Sequence, residues 1–174
     1  IKEIYSGDVV YNLIKNDISV ISAHTNFDKY TYGTCYDIAD RLGLDIVPDD
    51  SFEFGIIAEA EGMSVQELGW KCKSVYGSAS VTMPYNRINT VFICAGSGSD
   101  MKTDVIESGA DCFICGECKY HDMLDLAAEG ISVITLGHDN SEKFSVETMA
   151  RLIKENFEDT DVQVFIPDSL VQNI

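Results

Sequence analysis

His138 and Glu142 stand four positions apart in Gly137-His138-Asp139-Asn140-Ser141-Glu142, directly after the apolar run Ile131 to Leu136. His24 and Asp28 repeat that spacing in Ala23-His24-Thr25-Asn26-Phe27-Asp28, again behind an apolar run. An imidazole nitrogen with carboxylate oxygens is a borderline donor set, suited to zinc, iron or manganese rather than calcium. Two carboxylates can also bridge a pair of cations, which acidify a water and polarise a substrate oxygen. Two His-x-x-x-carboxylate loops at strand ends point to one metal site assembled from both halves of the chain. Its candidate ligands are His138, Glu142 and, as the nearest equivalent carboxylate upstream, Asp28. The bland alternative has His138 capping a strand end and Glu142 solvated beside the next helix.

Other motifs carry less. Gly96-Ser97-Gly98-Ser99-Asp100-Met101 follows a strand and opens a helix, as a phosphate-cradling turn does. Met101 replaces the third glycine of that fingerprint, and Asp100 would repel a phosphate, so a tight packing turn is the better reading. Cys112, Cys115 and Cys118 are spaced like ligands of an iron–sulfur cluster or zinc knot. Strand periodicity argues against that, because Cys112 and Cys115 would point to opposite faces. His121, on the first turn of a helix, reads either as a polar residue at the sheet rim or as a pocket acid or base. His24 reads either as a direct ligand or as a partner of one.

The elements that must position these residues alternate. Ile18 to Ala23 reads as a buried strand that delivers His24 and Asp28. Cys35, Ile38, Ala39 and Leu42 describe a helix stopped near Gly43. A loop with room for one short extended piece spans Asp45 to Ser51, and Phe52, Phe54, Ile56 and Ala58 have strand periodicity. Ser64-Val65-Gln66-Glu67 is a capping box opening a helix that runs to Gly77. A strand with Ala79, Val81 and Met83 follows. From Val91 onward strand and helix alternate: strands at Val91–Ala95, Cys112–Cys115, Ile131–Leu136 and Val162–Ile166, with helices between them closed by Gly109 and Gly130. This is the pattern of an α/β layer whose strands are covered by helices, with ligands collecting at the carboxyl ends of strands. His24, Gly96, Gly116 and His138 all fall at such ends.

At 174 residues the chain suits one domain or two small lobes and can bury roughly 70% of its unfolded surface. Its 29 acidic residues against 12 basic ones give a formal charge of −17, which disfavours phosphate backbones and anionic membranes. Nucleic-acid binding is accordingly not expected. No apolar stretch approaches the ~20 residues of a membrane helix. Six cysteines are too sparse for a disulfide scaffold, and a reducing cytoplasm is the expected setting. The chain opens at Ile1 rather than Met, so its natural N-terminus is expected to lie outside it.

The segments AHTNFD, AGSGSDM, GADCFICGECKYHD and GHDNSEKFSVETMARLI together resemble, in order and spacing, the Nif-three-like dinuclear-metal-centre family, whose members are often called GTP cyclohydrolase I type 2. The resemblance covers almost the whole chain. It implies two packed α/β lobes, here residues 1–60 as the remainder of the first and 61–174 as the second. It also implies a ring-shaped homohexamer and a pair of divalent cations (zinc, iron or manganese) in the cleft. On the resemblance Asp28, His138 and Glu142 are metal ligands with Glu142 bridging, and His24 and His121 line the pocket as candidate catalytic groups. The family's paired histidines lie upstream of AHTNFD, so the ligand set in this chain is expected to be incomplete. Where the family has GHYATE this chain has GHDNSE, which places the extra charge of Asp139 beside the metals.

The leading functional expectation is therefore a metal-dependent hydrolase-like protein acting on a small molecule, with GTP cyclohydrolase-type chemistry implied by the resemblance. The rival is a non-enzymatic, metal-binding, ring-forming protein that binds a partner. A third reading is a nucleotide-binding domain working through the Gly96–Met101 turn.

Overall fold

The computed structural model describes residues 7–28 and 30–168. In chain order its first half holds α1 (Val9–Lys15), α2 (Thr25–Asp28), α3 (Thr34–Arg41), β1 (Asp45–Val47), β2 (Ile56–Glu59), α4 (Val65–Tyr76) and β3 (Ser80–Val81). The second half holds β4 (Thr90–Ser97), a 3-10 turn at Ser99–Met101, α5 (Lys102–Glu107), β5 (Cys112–Glu117), α6 (Tyr120–Ala128), β6 (Ser132–Thr135), α7 (His138–Glu142) and α8 (Ser145–Asn156).

One six-stranded sheet, ordered β1-β2-β4-β5-β6-β3, takes strands from both sides of residue 60. β4, β5 and β6 are parallel, and β1, β2 and β3 join the two flanks antiparallel. The middle strands are apolar on both faces, as strands covered by helices on each side must be. Val91, Ile93, Cys112, Ile114 and Ile134 face one core with Ile38 of α3 and Leu68 of α4. Phe92, Cys94, Phe113, Cys115 and Val133 face the other with Val105 of α5 and Leu126 of α6. The result is the mixed α/β fold expected from the alternation. Cys112 and Cys115 do lie on opposite faces, as their spacing requires.

Local signals account for several boundaries. Ser64 accepts from the Glu67 amide at 3.2 Å while the Glu67 carboxylate accepts from the Ser64 amide at 2.7 Å, closing both ends of the capping box. At the other end of α4, Gly77 takes the left-handed conformation with φ +85° that terminates a helix without a Cβ penalty. Phe92 stands at the centre of an aromatic run, edge-on to Phe52 at 5.3 Å and tilted to Phe113 at 6.0 Å.

Three expectations are corrected. Ile18–Ala23 forms no strand and is exposed, with Ile21 at 94%, because no strand among the described residues offers it a ladder. Val162–Ile166 likewise forms none, and Phe165 is 81% exposed. The segment 138–142, expected as a loop, winds into the short helix α7. Two strands are also shorter than their patterns suggested: β2 starts only at Ile56, and β3 is limited to Ser80–Val81, which pairs with β6. A β-rich run forms a strand only where a neighbour satisfies its amides and carbonyls.

The buried and exposed aromatics should separate cleanly in denaturation experiments. Phe113→Ala, which empties a fully buried position, should cost about 3–5 kcal/mol in urea unfolding. Tyr85→Ala, at a side chain 84% exposed, should stay within about 0.5 kcal/mol of the parent.

Candidate functional site

β4, β5 and β6 end side by side, so that Gly96, Gly116 and Gly137 meet at one rim of the sheet. The ladder continues past the strands: the Leu136 amide donates to the Cys115 carbonyl at 2.9 Å and the Gly137 amide to the Gly116 carbonyl at 2.8 Å. α7 begins at this rim and lies against it. Its buried Ser141 accepts from the Gly96 amide at 3.0 Å and donates to the His138 carbonyl at 2.7 Å. The approach is close enough to require glycine. A Cβ on Gly116 would lie 2.5 Å from the Gly96 carbonyl oxygen and 2.7 Å from Ser141 Oγ, and one on Gly96 (φ +64°) would lie 2.5 Å from Glu142 Oε1.

On this platform His138 is held from one side. Its Nδ1 lies 2.9 Å from Glu117 Oε1, at the end of β5, and its Nε2 lies 3.6 Å from Glu142 Oε1. A carboxylate can only accept, so Nδ1 carries a proton, and in the neutral ring the Nε2 lone pair is left facing Glu142. The Glu117 hydrogen bond holds the His138 imidazole above its ordinary value of 6.5; partial burial opposes this, and the Glu142 charge adds to it. The Glu142 carboxyl is itself raised above 4.5, first by burial; His138 pulls it down, Asp28 pushes it up, His24 pulls it down and Asp139 pushes it up. The charge of Asp28 also acts on Cys35 of α3 and Cys94 of β4.

His24, Asp28, His138 and Glu142 thus share one electrostatic neighbourhood although more than a hundred residues separate the two pairs. His24 is exposed, and its carbonyl accepts from the Phe27 amide at 2.7 Å to start α2, which presents the half-buried Asp28. His121 is placed differently. Its ring is 71% exposed, with Nε2 3.6 Å from Asp122 Oδ2, and that carboxylate is already paired to Lys102 at 3.1 Å through its other oxygen. Among the described residues no three His, Cys, Asp or Glu side chains close on a common point as a metal cage. The donors in place are Nε2 of His138 and the Glu142 carboxylate, with Asp28 within electrostatic reach. Beside them opens a groove of about 1420 Å³, whose walls include Glu117, Cys118, His138, Glu142 and Phe165.

Two residues of this arrangement escaped the sequence reading. Glu117 is the last residue of β5 and His138 follows the end of β6, so their meeting depends on those strands being parallel neighbours. Ser141 was passed over as a polar residue inside the motif. In the glycine-rich turn after β4, a Cβ on Gly98 would meet the Phe113 ring at 2.6 Å and Cys115 Cβ at 2.7 Å, which supports the packing-turn reading of that motif.

The profile of the Duf34/NIF3 (NGG1p interacting factor 3) family matches residues 1–170. This chain belongs to that family. It is 32% identical over 172 residues to a Clostridium perfringens protein named GTP cyclohydrolase 1 type 2 homolog, covering 92% of this chain. It is 34% identical over 146 residues to the Helicobacter pylori GTP cyclohydrolase 1 type 2, covering 81% of this chain. The chain spans 65% and 57% of the length of those two relatives. In fold it is similar to a Staphylococcus aureus protein of known crystal structure (TM-score 0.86, 22% identity, all of this chain and 76% of that one). A Bacillus cereus protein related to NIF3 has a TM-score of 0.76 at 15% identity, again over all of this chain and over 78% of its own. No helix among the described residues of this NIF3-family chain is long and apolar enough to cross a membrane.

The rim can be tested through its buried hydroxyl. Ser141→Ala strips the Gly96 amide of its partner inside the protein and should cost about 1–3 kcal/mol in urea unfolding. A loss below about 0.5 kcal/mol would show that α7 does not depend on this bond.

Proposed function

We propose that this chain carries part of a dinuclear metal site in a metal-dependent, hydrolase-like protein. The observation that supports it is the aim of His138: Glu117 holds Nδ1, and Nε2 faces Glu142, a carboxylate raised by burial and by the charge of Asp28. Carboxylates gathered at one rim need a positive counter-charge, and an imidazole fixed through its far nitrogen is how a metal-binding histidine is usually oriented. His138, Glu142 and Asp28 would hold zinc, iron or manganese. Divalent cations there would supply Lewis acidity and would acidify a water towards ~7.

The chain's own contribution is positioning. Glu117 fixes the ring of His138, Ser141 and the two glycines seat α7 on the strand ends, and the groove beside them admits a small molecule. His24 joins the same neighbourhood as a ligand or as a partner of one. His121 is exposed and outside the lining of the groove, so it would reach a substrate only from beyond the groove's walls. The activity named for the Helicobacter pylori relative, carried over to this chain, makes a GTP-type nucleotide and water the reactants. The family reading further assigns a hexameric ring in the cytoplasm, and exposed apolar side chains such as Val9, Ile14 and Ile21 supply surface that an assembly would bury.

Elemental analysis of the full-length protein should find about two metals per chain. His138→Ala and Glu142→Ala should each remove the metal and any hydrolysis of GTP. Glu117→Gln, which keeps the shape but loses the charge, should weaken metal binding by about 10–100-fold in a calorimetric titration. Full-length protein that takes up no divalent cation would overturn the proposal, and metal uptake without turnover would favour the ring-forming, partner-binding rival.

A further inference from the structure

α8 is fastened to the protein mainly by polar contacts. Only Thr148 and Ala150 of this helix are buried, and neither apolar core takes in a residue of it. It lies against α3, whose Cys35, Ile38 and Ala39 are sunk in the first core. Between the two helices Asp37, its side chain only 9% exposed, uses both carboxylate oxygens. Oδ2 accepts from Arg41 Nε at 2.9 Å, and Oδ1 accepts from Thr148 Oγ1 at 3.0 Å. The same guanidinium donates from Nη2 to Glu147 Oε2 at 2.8 Å and lies over the Phe144 ring at 4.1 Å. One planar cation thus joins α3 to the first turn of α8 and to the residue before it. A lysine could not, having no fork to serve two carboxylates and no plane to stack on a ring.

Both ends of this clasp lead to the rim. On one side Phe144 follows α7 by two residues, and Ser145 Oγ donates to the Glu142 carbonyl at 2.6 Å. The backbone around Glu142 is therefore held by α8 as well as, through Ser141, by the strand ends. On the other side α3 starts behind Gly33, where a Cβ would strike the Phe27 carbonyl and lie 2.8 Å from that of Tyr30. The Gly33 amide donates to the Tyr30 carbonyl at 2.6 Å, and the Asp37 amide to the Gly33 carbonyl at 2.9 Å. α2, which carries Asp28, is thereby packed on the start of α3, and α3 in turn rests on β4 and α7.

We propose that Asp37 and Arg41 are positioning residues of the candidate site, their clasp fixing the α7–α8 corner, and Glu142 with it, against the helix that carries α2 and Asp28. The proposal rests on the reading that Asp28 and Glu142 hold a metal. Neither Asp37 nor Arg41 lines the groove, so they supply no donor and act only through the placement of the two carboxylates. Lys143 ties the same corner to the end of α4, where its ammonium donates to the Tyr76 carbonyl at 3.1 Å. Loss of the clasp accordingly loosens the corner and does not release it.

The test uses the full-length protein and zinc alone, with affinity read by competition against a chromogenic chelator. Arg41→Lys should weaken zinc about tenfold. Because the clasp works by placing Asp28 against Glu142, the same change should cost less than about twofold beside Asp28→Asn and about tenfold beside Glu117→Gln. An equal loss in both backgrounds is what a merely structural clasp would give, and it overturns the proposal. A parent that binds no zinc overturns the metal reading instead. In that case, or if Asp28→Asn binds none, hydrogen exchange on the metal-free chain decides the clasp. Two amides outside it report: that of Phe27, bonded to the His24 carbonyl at 2.7 Å, and that of Lys143, bonded to the Asp139 carbonyl at 2.9 Å. Arg41→Lys should speed both about tenfold and leave the β4 amides unchanged. Unmoved rates at the two reporters, or equal acceleration in β4, refute the clasp. Should Arg41→Lys fail to fold, Asp37→Asn replaces it in every measurement, with the same outcomes expected.

Discussion

The site depends on how closely α7 can lie on the ends of the parallel strands. A helix packed on a sheet normally stands off by the length of its side chains. Here Gly96 and Gly116 remove the obstacle, and Ser141 replaces a side-chain layer by accepting directly from the Gly96 amide of β4 while donating to the His138 carbonyl of its own helix. On a five-residue helix this anchoring settles more than stability. His138 and Glu142 are separated by one helical turn and so project from one face. Once the backbone of that turn is pinned to β4 and β5, neither side chain can drift relative to the rim. Short helices are marginal alone, so the precision of the pair is borrowed from the sheet.

Charge follows from that geometry. In a chain of formal charge −17, gathering Asp28, Glu117, Asp139 and Glu142 near one rim is unfavourable unless something positive answers them. Lys143 is adjacent in sequence, yet its ammonium donates to the Tyr76 carbonyl at 3.1 Å and lies over the Phe144 ring at 4.9 Å, turned from the pair. His138 and His24 offset part of the repulsion, and the raised carboxyl of Glu142 is the sign that burial and its acidic neighbours outweigh them. A bound divalent cation would remove that conflict, which is why the electrostatics favour the metal reading more than the spacing of the motif does.

Much of the frame was legible before any coordinates because its signals are local. The capping box at Ser64 and Glu67, the glycines behind α4, α5 and α6, and the double-sided apolar runs of β4, β5 and β6 each require only neighbours in sequence. The signals that failed were those needing a partner elsewhere. Ile18–Ala23 and Val162–Ile166 have strand composition but no ladder among the described residues, and Ser80–Val81 owes its place to β6 rather than to its own pattern. The candidate site divides in the same way. The i and i+4 relation of His138 to Glu142 could be read from spacing, whether the segment is called a loop or a helix. The Glu117–His138 bond could not, because it spans 21 residues and exists only if β5 and β6 are adjacent and parallel.

That bond also explains why the end of β5 is chemically dense. In an open α/β sheet the turns after parallel strands are the places where backbone direction changes and side chains converge. After β4 the turn is occupied by packing, since Gly98 lies under Phe113. After β6 it is occupied by the start of α7. The end of β5 is left to carry polar function, and its last residue, Glu117, supplies the carboxylate that orients His138. A rigid strand leads into it, and the Glu117 carbonyl accepts from the Gly98 amide at 2.8 Å. With strand and carbonyl both held, the Glu117 side chain starts from a fixed backbone. The His138 imidazole at the other end of that side chain is thereby tied to the backbone of β5.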